Sequence, residues 1–139
     1  MTMTSEHTTT SQEEQTTMTL ENFKLQVEPS EITFAGNLLD QVRTQITICN
    51  KSGTRQAFKI RCTSNEAFRI RPPIGILNER PVEVELLYRG GKNINPNTRH
   101  HFTIYHIPAP HGSSAEGAWK EHYGPAQGKR HFFVSFAHL

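Results

Sequence analysis

The sequence predicts an all-β fold, a sandwich of two packed sheets. Three observations point there. Apolar residues recur at every second position in several short runs, the pattern of half-buried strands. Clusters of Gly, Pro, Asn and Ser punctuate those runs. No long stretch carries apolar residues at helical spacing. About seven short strands with turn signals between them favour a sandwich over a barrel or an α/β fold.

Residues 1–22 stand apart from this pattern. They are rich in Thr, Ser, Gln and Glu, with almost no large apolar side chain before Leu20. Such a segment cannot bury enough surface to offset its ordering entropy, so a disordered tail is expected. Residues 23–139 read as one domain. Phe23, Leu25 and Val27 alternate up to Pro29, and Ile32 and Phe34 resume the ladder. Gly36-Asn37 marks a turn. Val42, Thr44, Ile46 and Ile48 line one face of the next strand, and Asn50-Lys51-Ser52-Gly53 is turn chemistry.

The central stretch is Phe58 to Gly75, FKIRCTSNEAFRIRPPIG. Phe58, Ile60 and Cys62 alternate with Lys59, Arg61 and Thr63. Beyond a polar turn, Phe68 and Ile70 alternate with Arg69 and Arg71. Pro72-Pro73 stops the second strand, since proline cannot donate to a ladder, and Gly75 is expected to turn the chain. Val82, Val84, Leu86 and Tyr88 form a further inward face. After a polar loop over 90–98, Phe102 and Ile104 point inward, with His101, Thr103 and Tyr105 outward. Phe132, Val134 and Phe136 close the series.

One segment departs from strand periodicity. Ser113-Ser114-Ala115-Glu116 reads as a capping box with Ser113 as N-cap. Ala115, Trp119 and Tyr123 would then share one face of a short helix, ended by Gly124-Pro125. Trp119 is either a cap over an open end of the sandwich or an interface anchor.

Bulk properties bound the function classes. The formal net charge is +2 and 20% of residues are charged, which implies no nucleic-acid partner. No apolar run approaches the length of about 18 residues needed for a membrane span. The N-terminus has no basic region followed by an apolar one, so a cytoplasmic location is the default. The two cysteines, Cys49 and Cys62, have opposite strand parities and are expected to be free thiols in a reducing compartment.

Chemistry-bearing constellations are sparse. Seven of the eight histidines follow position 99, yet neither HExxH nor Cys-x-x-Cys occurs. Solvated or edge histidines are expected, with no metal. There is no Gly-x-Ser-x-Gly elbow and no phosphate loop opening a helix, so neither an enzyme nor a cofactor is expected. Lys59, Arg61, Arg69 and Arg71 project from two strands. Together with Arg99 and His101 they would form one shallow basic band suited to an acidic segment.

The order aromatic-Lys-apolar-basic, Thr, then Arg-Pro-x-x-Gly resembles the signature of the major sperm protein (MSP) domain. Leu25 to Phe34, Ile46 to Ser52, Arg99 to Ile104 and Pro108-Ala109-Pro110 agree with that family in order and spacing. The resemblance implies an immunoglobulin-like, seven-stranded sandwich that binds partners and has no catalytic role. It further implies a protein of nematode sperm, most like the small fibre-associated members that bind MSP filaments or subunits and modulate their growth in the pseudopod. A homodimer is compatible with it.

The alternative implied is that of the tethering type, which grips acidic, Phe-containing peptides on this face. There the matching run reads Lys-x-Met, whereas this chain has His101 and Thr103; Lys59, Arg61 and Thr63 keep the pattern. The tethering type carries a membrane anchor after the domain. This chain stopping at Leu139 gives the expectation that it is not a tether. The Trp119 segment resembles the sperm branch. The candidate partner-binding residues are Lys59, Arg61, Thr63, Arg69, Arg71, Arg99, His101 and Trp119.

Overall fold

A computed structural model of the protein describes residues 22–91 and 98–138. The expected tail and most of the polar loop lie outside those residues. The strands are β1 (Leu25–Glu28), β2 (Ile32–Gly36), β3 (Val42–Asn50), β4 (Gln56–Cys62), β5 (Phe68–Arg71), β6 (Ile74–Leu77), β7 (Val82–Tyr88), β8 (His101–Pro108) and β9 (Gly128–His138). One helix, α1 (Ala115–Glu121), stands between the last two. A four-stranded sheet runs β1-β3-β7-β5 and a five-stranded sheet runs β2-β9-β8-β4-β6. The architecture is the expected immunoglobulin-like sandwich.

Among the described residues the strand count is nine, against about seven expected, for two reasons. The ladder from Leu25 to Phe34 divides at Pro29. β1 pairs with β3 in one sheet, and β2 pairs parallel to β9 in the other. The second addition is β6, which pairs Ile74–Leu77 with Gln56–Lys59 of β4. Gly75 therefore does not turn the chain. It lies within β6, and a Cβ there would run into the Phe58 ring. The glycine is needed for close approach between strands.

The core follows the alternation. Phe34, Phe58, Phe102 and Phe132 from the five-stranded sheet face Ile46, Ile48, Phe68, Val84, Leu86 and Tyr88 from the other. Phe34 is fully buried, with ring centroids of Phe68, Tyr88, Phe102 and Phe136 at 5.5, 6.1, 6.4 and 6.0 Å. Such offset contacts add to area burial.

The helix starts one residue later than expected. Ser114 is the N-cap, its Oγ accepting the Gly117 N–H at 3.0 Å. Ser113 instead accepts from Arg55 Nη1 and donates to the Pro110 carbonyl. The helix ends at Glu121, so Tyr123 lies beyond it, 97% exposed, and shares no face with Trp119.

The histidines also depart from expectation. His106 is not an edge residue; it is fully buried. Its Nε2 accepts the Lys24 N–H at 3.1 Å, so Nδ1 carries the proton and donates to Gln56 Oε1 at 2.9 Å. Gly128 faces the same imidazole so closely that a Cβ would not fit. Burial lowers the His106 pKa to about 4, against a smaller upward pull from the Asn22 carbonyl. A second proton would also strip Lys24 N–H of its acceptor.

The unfolded chain binds this proton near pH 6.5, so acid favours unfolding. Stability should be full above pH about 6.5 and fall by about 3 kcal/mol as pH drops through about 4. Urea unfolding across that range would measure it. His106→Gln should flatten the profile, and an unchanged profile would refute the assignment.

Candidate functional site

The strands β4, β8 and β9 lie side by side, and their register builds the outer face of the five-stranded sheet. Phe58, Ile60, Phe102, Ile104 and Phe132 are buried, so the alternate positions must point away from the core. Three cross-strand rows result. Lys59, Tyr105 and Lys129 form the first, and Arg61, Thr103 and His131 the second. Thr63 beside His101, with Phe133, forms the third.

No carboxylate occurs at these nine positions. Glu31, just before β2, accepts from Ser135 Oγ of β9 at 2.9 Å. The opposite outer face is different: Glu28, Thr47 and Glu83 align there, as do Gln45, Glu85 and Arg71. With Arg43, Leu87 and Arg69 as the next row, that face carries both signs, whereas the β4–β8–β9 rows carry only cations.

Several of the cations rest on aromatic rings. Lys59 Nζ lies 4.8 Å from the Trp119 ring, Arg99 Cζ 4.1 Å from Phe133, and Lys129 Nζ 5.6 Å from Tyr105. Such contacts hold a charge in place while leaving it partly hydrated. His101 stacks edge-on against His131 at 4.5 Å and Phe133 at 5.7 Å. Thr103, only 4% exposed, forms the floor and bonds His131 Nδ1 at 2.7 Å. Burial, then the charges of His101 and Lys129, push the His131 pKa down.

The expected residues are only partly brought together. Lys59, Arg61, Thr63, Arg99 and His101 share this face. Thr63, however, is committed internally: its Oγ1 accepts the His101 N–H at 3.3 Å and shares a hydrogen bond with His100 Nδ1 at 2.8 Å. The single basic band is corrected. Arg69 and Arg71 are on β5, which belongs to the other sheet, and Arg71 stands opposite Glu85. Alternation assigned each side chain a face, but not which strands become neighbours. Tyr105, Lys129, His131 and Phe133 were not singled out from sequence. Their parity was readable, but the β8–β9 pairing was not.

Trp119 covers neither open end of the sandwich. α1 lies across the outer face of β4, β6 and β8, where Ala57, Ile76 and Ile107 form an apolar patch with Ala118, Trp119 and Ala126. Trp119 Nε1 donates to the Phe58 carbonyl at 3.1 Å. Arg55 clamps the approach to the helix through the carbonyls of Pro110 and Ser113, both at 2.6 Å. The helix closes the cationic face at the Lys59 row.

The family model for the MSP (Major sperm protein) domain matches residues 24–122. The chain belongs to the MSP domain family. An uncharacterized Caenorhabditis elegans protein is 30% identical over 118 residues, which is 82% of this chain and 67% of that one. Vesicle-associated membrane protein-associated protein A of Rattus norvegicus is 28% identical over 96 residues, 67% of this chain. The match spans only 39% of that relative's length. Among solved structures, WR4, a C. elegans MSP family member, superposes with a TM-score of 0.65 at 20% identity. It covers 82% of this chain and 98% of that one. The family match ends before β9, whose Lys129, His131 and Phe133 complete the face in this chain.

Among the described residues, no group of three His, Cys, Asp or Glu side chains is placed to hold a metal, and no helix is long and apolar enough to cross a membrane. Trp119→Phe should cost about 1 kcal/mol through the lost indole hydrogen bond. Trp119→Ala, which also uncovers the apolar patch, should cost about 2 kcal/mol or more. Urea denaturation would compare them; equal stability of both with the parent would exclude a covering role.

Proposed function

We propose that this chain is a non-enzymatic protein-binding module whose β4–β8–β9 face receives an acidic, aromatic-containing segment of a partner. One observation carries this reading. Lys59, Arg61, Arg99 and Lys129 share a face with Tyr105 and Phe133, and its strand positions hold no carboxylate. The cations steer and orient an acidic chain, and the rings take its aromatic residue. The resemblance to the tethering type implies the same face. Here His101 and Thr103 replace its long cation and thioether, which shifts the apolar contact toward Phe133, 42% exposed, and Tyr105.

A second reading names the setting. The resemblance of the Trp119 segment to the sperm branch implies a protein of nematode sperm, and the relative at 30% identity is itself a nematode protein. In this reading the partners are MSP subunits, filaments or other MSP-domain proteins, and the chain modulates filament growth in the cytoplasm of the pseudopod. Adding the purified protein to MSP assembly reactions should change fibre growth; unchanged rate and bundling would remove this reading.

For the face itself, anisotropy of a fluorescein-labelled Asp/Glu-rich peptide containing Phe would decide. It should bind at low salt, weaken with added salt, and lose about tenfold in affinity for Arg61→Gln/Lys129→Gln. Absence of binding at low salt would overturn the proposal.

A further inference from the structure

A cleft opens where the two sheets meet. β6 covers Gln56–Lys59 of β4 and the Pro73 carbonyl takes the Ile60 N–H at 2.8 Å, so Arg61–Cys62 lies beyond that pairing as a strand edge. β5 is the edge of the other sheet. Between these edges lies a cleft of about 400 Å³, floored by Ile60, Phe68 and Ile70 and rimmed by Arg61, Arg69 and Arg89. No carboxylate lines it. Arg69 is opposed across the sheet by Leu87, whereas Arg71 has Glu85. The Arg89 N–H bonds the Ala67 carbonyl at 2.8 Å, which ties the rim to the turn after β4. The half-buried Cys62 thiol donates to the Ser64 carbonyl at 3.4 Å and Asn65 Oδ1 at 3.3 Å, shaping one wall. Burial raises the Cys62 pKa, and the charge of Arg89, which lines the same cleft, opposes that rise.

Three guanidinium groups therefore rim an apolar-floored gap that supplies no counter-charge of its own. Guanidinium forks match carboxylates in geometry, and the floor suits the methylene groups that carry one. Arg61 belongs to both the outer face and this rim, so one ligand chain reaches both. We propose that the cleft is a second anchoring site for the same partner segment, which crosses the free edge of β4 and seats an Asp or Glu side chain between Arg69 and Arg89. This rests on the acidic-segment reading above.

The test uses the labelled Asp/Glu-rich peptide. Arg69→Gln/Arg89→Gln should weaken binding about tenfold, and Lys51→Gln, which removes one charge in the β3–β4 turn, should leave it unchanged. In a Cys49→Ser protein, Cys62 is the one remaining thiol, and saturating peptide should slow its alkylation by iodoacetamide severalfold. This arm leaves the cleft residues intact, so it does not depend on the arginine variants folding. Binding that is insensitive to Arg69 and Arg89, with Cys62 unprotected, overturns the cleft and leaves the face standing. No binding to the parent protein overturns both. Equal protection by sodium glutamate alone would assign the cleft to a free anion and overturn the segment.

Discussion

The ring cluster around Phe34 is the contact on which the other features depend. Phe34, Phe102 and Phe136 come from one sheet, and Phe68 and Tyr88 from the other. Their interlocking sets how far apart the sheets lie and which residues of each strand are committed to the interior. With β4 and β8 oriented by Phe58, Ile60, Phe102 and Ile104, their alternate residues have no choice of face. The cationic surface is thus a consequence of packing on its other side.

That surface has two chemically different parts. Near Ala57 and Ile107 it is apolar and covered by α1; from Lys59 to Phe133 it is charged and aromatic and carries no helix. The Trp119 side chain stands at the boundary, bonded to the backbone of β4 and touching the Lys59 ammonium. Within one sheet, a covered apolar patch and an open cationic patch meet at a single row.

Polar groups in the interior are matched with equal economy. His106, Gln56 and the Lys24 backbone form a closed chain of donors and acceptors, and His100 is met by Thr63. No buried side-chain nitrogen or oxygen among the described residues lacks a partner. Buried polar groups without partners are costly, so this matching lets histidines occupy inward positions of a β-sandwich. It also makes them sensitive to protonation, because a neutral imidazole that accepts a hydrogen bond cannot take a proton without losing that bond.

Read alone, the sequence determined the strand class and the facing of nearly every side chain. Phe58, Ile60, Phe102 and Ile104 declare their interior positions by period two, and Lys59, Arg61 and His101 their exterior ones. Local chemistry also announced the short helix, within one residue of its cap. Tertiary structure alone decided adjacency. Whether Arg69 joins Arg61 on a face or meets it across a cleft depends on which sheet β5 enters, and no local pattern encodes that. The same holds for β6, where Gly75 reads as a turn until the Phe58 ring lies against it, and for His106, whose burial depends on Gln56, Lys24 and Gly128 arriving from distant parts of the chain. Periodicity is a property of neighbouring residues along the backbone, whereas pairing is chosen by the packing of the whole core.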